Sequence, residues 1–146
     1  MPTKLKDPNS LSRYTGSLVR RAQQRHLAAW LSEVSTEVTS VQYAALAALH
    51  QTPGLNQRQL GDELDVDRST IADLVARMVR NDLIERTDDP ADKRSYVLFL
   101  TTAGKKQLTV LRPRVDDVER ILTAALTPQE RSELRRLLAV MLSVRE

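Results

Sequence analysis

The sequence predicts a mostly α-helical chain that carries one small β-hairpin. Apolar residues recur at helical spacing in six separate segments. The clearest β-rich runs, residues 83–87 and 96–100, flank the polar loop Asp88 to Ser95, where Pro90 cannot donate to a strand ladder. A chain of 146 residues, 41% hydrophobic and 28% charged, can bury a core without cross-links and is too apolar for a disordered tail.

Taken in order, a long helical pattern runs from Ser10 to about Val34. Leu11, Tyr14, Leu18, Ala22 and Ala29 lie down one face, and Leu27, Trp30, Leu31 and Val34 form a second stripe. Residues 39–51 form a short helix so apolar (Val41, Tyr43, Ala44, Leu46, Ala47, Leu49) that it must be central to the core, and Pro53-Gly54 stops it. The next helix, Asn56 to Leu64, opens with Asn56 and has Gln59 three residues on, a reciprocal capping box. After a four-residue break comes the cleanest periodicity in the chain, Ile71, Leu74, Val75, Met78 and Val79, with Asp67 as its N-cap. Beyond the hairpin, Thr101 or Thr102 caps a helix whose apolar residues (Leu108, Leu111, Val115, Val118, Leu122, Ala125) keep the seam spacing of helix–helix packing. Pro113 should kink that helix near residues 109–112, at a cost of about 3 kcal/mol unless packing offsets it. The last helix starts at Thr127-Pro128-Gln129-Glu130, with cap, first-turn proline and capping-box glutamate, and carries Leu134, Leu137, Leu138 and Met141.

Several function classes drop out. There is no cysteine, which removes disulfides, thiolate metal sites and thiol switches. His26 and His50 are the only histidines and offer no metal-ligand spacing. No nucleophile–base pair, phosphate loop or paired-carboxylate pattern stands out, so the chain reads as a non-enzyme without a cofactor. No apolar run approaches the roughly 18 residues of a bilayer span, and residues 1–10 lack the apolar core of a secretory signal. A cytoplasmic protein with no membrane partner is expected. The net charge of +3 permits a polyanionic partner. Residues 66–101, however, hold six basic against seven acidic groups, so local arrangement must decide. One Trp, three Tyr and one Phe are too few for stacked single-strand platforms.

Two short helices joined by a tight turn and followed by a hairpin make a winged helix-turn-helix. The second helix of such a unit must bury one face and offer a narrow polar face to a major groove about 12 Å wide. Here Ser69, Thr70, Asp73, Ala76, Arg77 and Arg80 are left outside. Hydroxyls near the helix start can bond phosphate or base edges, and Arg77 can grip guanine. Arg58 and Arg68 complete the candidate set on the two helices, and Arg86, Lys93 and Arg94 on the wing can reach the minor groove or its phosphates. Asp88, Asp89 and Asp92 argue against a simple electrostatic clamp, and Asp89 or Asp92 is expected to hold Arg94 and fix the loop. The bland alternatives are a solvated amphipathic helix and an ordinary charged hairpin tip.

These residues resemble the multiple antibiotic resistance regulator (MarR) family of bacterial winged-helix repressors. The resemblance rests on Leu60-Gly61-Asp62-Glu63-Leu64 with Ser69-Thr70-Ile71, on Leu83-Ile84-Glu85-Arg86, on Asp88-Asp89-Pro90-Ala91-Asp92-Lys93-Arg94, and on Leu100-Thr101-Thr102-Ala103-Gly104. It covers nearly the whole chain and departs at Gly61, where alanine is usual, and at Asp82, where glycine usually precedes the hairpin. It implies a single domain over residues 1–146, with dimerisation helices at 10–35 and 102–146 and a DNA-binding lobe at 39–101. It also implies a homodimer on a symmetric double-stranded operator, released by a small molecule. The apolar stripes of the terminal helices, more than one small lobe can cover, support the dimer independently.

The effector reading starts from the first helix. Arg20, Arg21 and His26 lie within two turns, so some must face the core or a dimer cleft. An arginine facing an aromatic-lined cavity suits a carboxylate, because bidentate bonding compensates burial. The resemblance implies an effector pocket between the dimer helices and the winged lobe, and members with a similar first helix look like sensors of phenolic or aromatic acids. Arg20, Arg21 and His26 are therefore candidate anchors for such an acid, with Tyr14, Trp30 and Tyr43 as walls. Inter-subunit salt bridges and ordinary core aromatics are the competing account. For function as a whole, the rival is a dimeric winged-helix module that binds protein without sequence-specific DNA binding.

Overall fold

The structure, a computed structural model, describes residues 10–143. The helices are α1 (Thr15–Glu33), α2 (Ser40–Gln51), α3 (Gln57–Leu64), α4 (Arg68–Arg80), α5 (Thr102–Leu122) and α6 (Pro128–Ser143); the strands are β1 (Leu55–Asn56), β2 (Ile84–Asp89) and β3 (Asp92–Leu100). The mostly α class with a small β wing is as expected. By contacts the chain forms two compact units: Trp30–Val115, and the segments before and after it. Among the described residues no helix is long and apolar enough to cross a membrane.

In the Trp30–Val115 unit one apolar cluster joins α2, α3, α4, the wing and α5. It takes Leu46 and Leu49 from α2, Leu60 from α3, Ile71, Val75 and Met78 from α4, Ile84 and Leu98 from the wing, and Leu108 from α5. Both ends of this core are set by local chemistry. Thr39 and Gln42 cap α2 reciprocally, and Asn56 and Gln59 cap α3 in the expected way. The sheet corrects the two-stranded expectation: its order is β1-β3-β2, with Leu55 opposite Leu98 and Asn56 opposite Val97. A two-residue strand has no periodicity to read.

The wing is also longer than its sequence suggests. Asp89 pairs with Asp92 across Pro90-Ala91, so Lys93, Arg94 and Ser95 stand on β3 and not in a loop. The tip is exposed on both faces, which erases the apolar alternation that marks a strand. Asp89 accepts the amide of Ala91 at 2.9 Å and Asp92 the amide of Arg94 at 3.0 Å. Asp92 thus holds Arg94, as expected, through its backbone amide.

Three elements meet at Leu83. Its amide donates to Met78 at the end of α4 (2.9 Å), and its carbonyl accepts the amide of Thr101 (3.1 Å). The Thr101 hydroxyl donates to the Asp82 carbonyl and accepts the Gly104 amide at 2.9 Å, which makes Thr101 the cap of α5. A methyl group on Gly104 would lie 2.0 Å from the Leu83 oxygen, so only glycine fits. Asp82 takes the left-handed conformation, φ 59°, the backbone state for which glycine is the usual choice.

In the other unit, Ser10 caps a short 3-10 turn over Leu11–Arg13, and Tyr14 is extended. α1 therefore begins at Thr15, not Ser10. α5 runs through Pro113 and stops at Leu122, short of the expected Ala125, because Leu126 turns back to donate to Thr123 at 3.0 Å. Thr127 and Glu130 form the expected capping box of α6. No residue of α6 is buried, and Leu134, Leu137, Leu138 and Met141 stand exposed, as do Leu18, Val19 and Leu27 of α1.

Gly104→Ala should lower stability by about 2–3 kcal/mol, the cost of overpacking against rigid backbone. Urea unfolding of the variant measures it, and an unchanged midpoint would show that α5 can shift freely.

Candidate nucleic-acid interface

The α3–α4 pair is built by a sharp, capped turn. Asp65 closes α3 in the left-handed conformation, φ 55°, and Val66 donates back to the Gly61 carbonyl at 3.0 Å. The two helices touch at Gly61, where a methyl group would come within 3.3 Å of Ile71 Cγ2. Glycine in place of the family's usual alanine thus leaves room for the β-branched Ile71.

Asp67 then starts α4. Its Oδ1 accepts the Thr70 amide at 2.7 Å and the Ser69 hydroxyl at 3.0 Å. These hydrogen bonds, Thr70's first and Ser69's after it, hold the Asp67 carboxyl below its usual range. The carboxylate also sits at the positive end of the helix dipole.

α4 divides as its periodicity requires. Ile71, Val75 and Met78 are buried, whereas Arg68, Ser69, Thr70, Asp73, Arg77 and Arg80 are all exposed. Arg58 is exposed on α3, Arg86 on β2, and Lys93 and Arg94 on β3. The ion pairs found among the described residues (Arg120–Asp117, Arg135–Glu119, Arg136–Glu133) involve none of these cations. Lys93 and Arg94 stand beside the tip, while Arg86 pairs with Leu98, three residues or about 10 Å back along β2.

The candidate effector residues divide between the two units, with Tyr14, Arg20, Arg21 and His26 in one and Trp30 and Tyr43 in the other. Arg20 and Arg21 are exposed on α1. Tyr14 is exposed with the Arg13 guanidinium 5.1 Å from its ring centre. Half-buried His26 lines a groove of about 630 Å³ with Leu18, Val19, Leu134, Leu138 and Met141; Arg20 and Arg21 do not line it. Trp30 is buried and its indole N–H donates to the Val38 carbonyl at 2.7 Å. Tyr43 packs on it, with centroids 5.9 Å apart and planes tilted by 60°. Sequence reasoning missed Val38 as the partner of Trp30, because an acceptor on a loop backbone leaves no side-chain signal.

The model of the MarR family matches residues 38–96, which span α2, α3, α4, β2 and most of β3. A crystal structure of the PcaV transcriptional regulator from Streptomyces coelicolor, in complex with its natural ligand, superposes with a TM-score of 0.89 at 38% identity, over 93% of this chain and 96% of that one. The chain belongs to the MarR family. It is therefore a DNA-binding regulator of transcription, in a family of regulators and not of enzymes. Two other solved structures are similar. BpsR from Bordetella bronchiseptica, whose DNA binding is regulated by 6-hydroxynicotinic acid, gives a TM-score of 0.89 at 26% identity over 95% of this chain and 100% of that one. A mutant MarR from Escherichia coli complexed with operator DNA gives 0.81 at 26% identity, over 87% and 92%.

The depressed Asp67 pKa carries a pH signature. Its stabilising share is complete above the unfolded-state value of 3.8 and fades as the pH falls through the lower folded value. Asp67→Asn keeps the cap geometry but removes the charge, so the acid limb of a stability-versus-pH curve should become shallower below about pH 4. Denaturant midpoints at pH 3–7 check this, and superimposable curves would show that the charge contributes nothing.

Proposed function

We propose that the protein is a repressor that binds a pseudo-palindromic operator as a homodimer and leaves it when a small aromatic or phenolic carboxylate binds. The observation that carries the DNA half is the division of α4: its aliphatic face is buried and its hydroxyls and arginines stand exposed. In this reading Ser69, Thr70, Arg77 and Arg80 meet the major groove, with Arg58 and Arg68 on adjacent phosphates. Arg86, Lys93 and Arg94 serve the wing contact, and Asp73 on the same face selects against wrong bases. The E. coli relative bound to operator DNA supports this use of the fold.

Residues 10–35 and 102–146 are the dimerisation helices in this proposal, and residues 39–101 the DNA-binding lobe. Support comes from α6, none of whose described residues is buried, and from the apolar faces of α1 and α6 that line the groove beside His26. A two-fold dimer sets two α4 helices about one helical turn apart on the operator. For the effector, Arg20, Arg21 and His26 are the polar anchors and Tyr14, Trp30 and Tyr43 the walls. The relative regulated by 6-hydroxynicotinic acid supports that ligand class.

Operator affinity should fall with salt at a log–log slope of about −4 to −7, for roughly four to eight phosphates neutralised per dimer. A flat dependence would favour the protein-binding module. Arg77→Ala should weaken operator binding by about 1–3 kcal/mol, selectively if it reads a base and uniformly if it meets phosphate; unchanged affinity takes it out of the interface. Salicylate titrated against the DNA complex should release it, and persistence of the complex at saturating acid would remove this effector class.

A further inference from the structure

The outward face of α4 has a carboxylate at its centre. Asp73 lies two residues from Ile71 and two from Val75, so at about 100° per residue it projects about 160° away from each. Both of those side chains are buried, and Asp73 is exposed. Ser69 stands one turn before it and Arg77 one turn after, both exposed as well. Asp73 precedes Arg77 by four residues, the order that favours an ion pair along a helix. Yet neither enters an ion pair among the described residues. Ala72 and Ala76 are half-buried beside this row, so no long neighbour on that flank keeps the short Asp73 side chain away from a surface.

A carboxylate pressed against duplex DNA is repelled by the phosphates and loses its water. Only a hydrogen-bond donor on the DNA offsets that cost, because an ionised carboxylate accepts and cannot donate. In the major groove the donors are the N4 amino group of cytosine and the N6 amino group of adenine. Adenine sets its N7 acceptor beside N6, which repels the second carboxylate oxygen, whereas cytosine presents the amino group alone. We propose that Asp73 reads a cytosine in each half-site of the operator through N4, a role that rests on α4 entering the major groove. Guanine and thymine at that position offer only acceptors, and Asp73 rejects them. Its charge also weakens binding to every sequence without the cytosine, so Asp73 adds discrimination where an arginine at the same place would add affinity for DNA in general.

The test uses the full chain and a pool of DNA duplexes randomised over about two helical turns, with the bound fraction sequenced. For the wild type, one position per half-site should favour cytosine by about tenfold or more over any other base. Asp73→Ala should flatten that position and leave the rest of the motif in place. Asp73→Asn should move the preference there from cytosine to adenine, whose N6 and N7 an amide matches bidentately. Asp73 is exposed, so thermal unfolding of both variants should match the wild type. A wild type that enriches no sequence would overturn the operator-binding reading and this role with it. A wild-type motif that Asp73→Ala reproduces, one that it erases at every position, or cytosine retained by Asp73→Asn would overturn the role of Asp73 alone.

Discussion

The backbone around Leu83 is where α4, the wing and α5 are tied together. The end of α4 accepts the Leu83 amide, α5 is capped by Thr101 against the Leu83 and Asp82 carbonyls, and β2 begins at the next residue. α4, the wing and α5 thus share a few backbone atoms. Hydrogen bonds alone would leave such a joint loose, since each is worth about 1 kcal/mol net. The absent Cβ of Gly104 makes it close-packed, because any side chain would collide with the Leu83 oxygen. Removing slack there keeps the exposed arginines of α4 in register with those of the wing.

Much of this was legible in the residues, for local reasons. The boxes of Asn56 with Gln59 and of Thr127 with Glu130 are written within four positions, and both form. The α4 stripe needs one helix to be read, and its buried set follows. What failed depended on partners distant in sequence or on backbone alone. β1 exists because Leu55 and Asn56 meet Leu98 and Val97 some forty residues away. Tyr14 fits a helical stripe yet is extended, and no side-chain pattern forecasts a break of one residue. Thr39 with Gln42 forms a capping box that the sequence also carries within four positions, directly ahead of the apolar run of α2. Aromatic residues serve cores and ligands alike, so residue type alone does not assign Trp30 or Tyr43 to either. Trp30, with its N–H committed to Val38, shows how fully a structural role can occupy such a side chain.

The terminal helices set a different energetic problem. Leu134, Leu137, Leu138 and Met141 on α6, with Leu18 and Val19 on α1, keep a third to a half of their surface in solvent. At about 25 cal/mol per Å² such a surface gains several kcal/mol from being covered, and exposed patches on this scale mark association sites. In the proposed homodimer, the stability of that unit is tied to protein concentration, whereas the core built on Leu46 and Val75 is internal to one chain.

Asp82 has a consequence for how this sequence can vary. With φ at 59°, its backbone excludes β-branched and bulky residues and leaves glycine, asparagine and aspartate as comfortable occupants. Its carbonyl, not its carboxylate, is what Thr101 uses. Evolutionary drift at this site is therefore confined to a three-letter alphabet, while exposed neighbours such as Asn81 have far wider latitude.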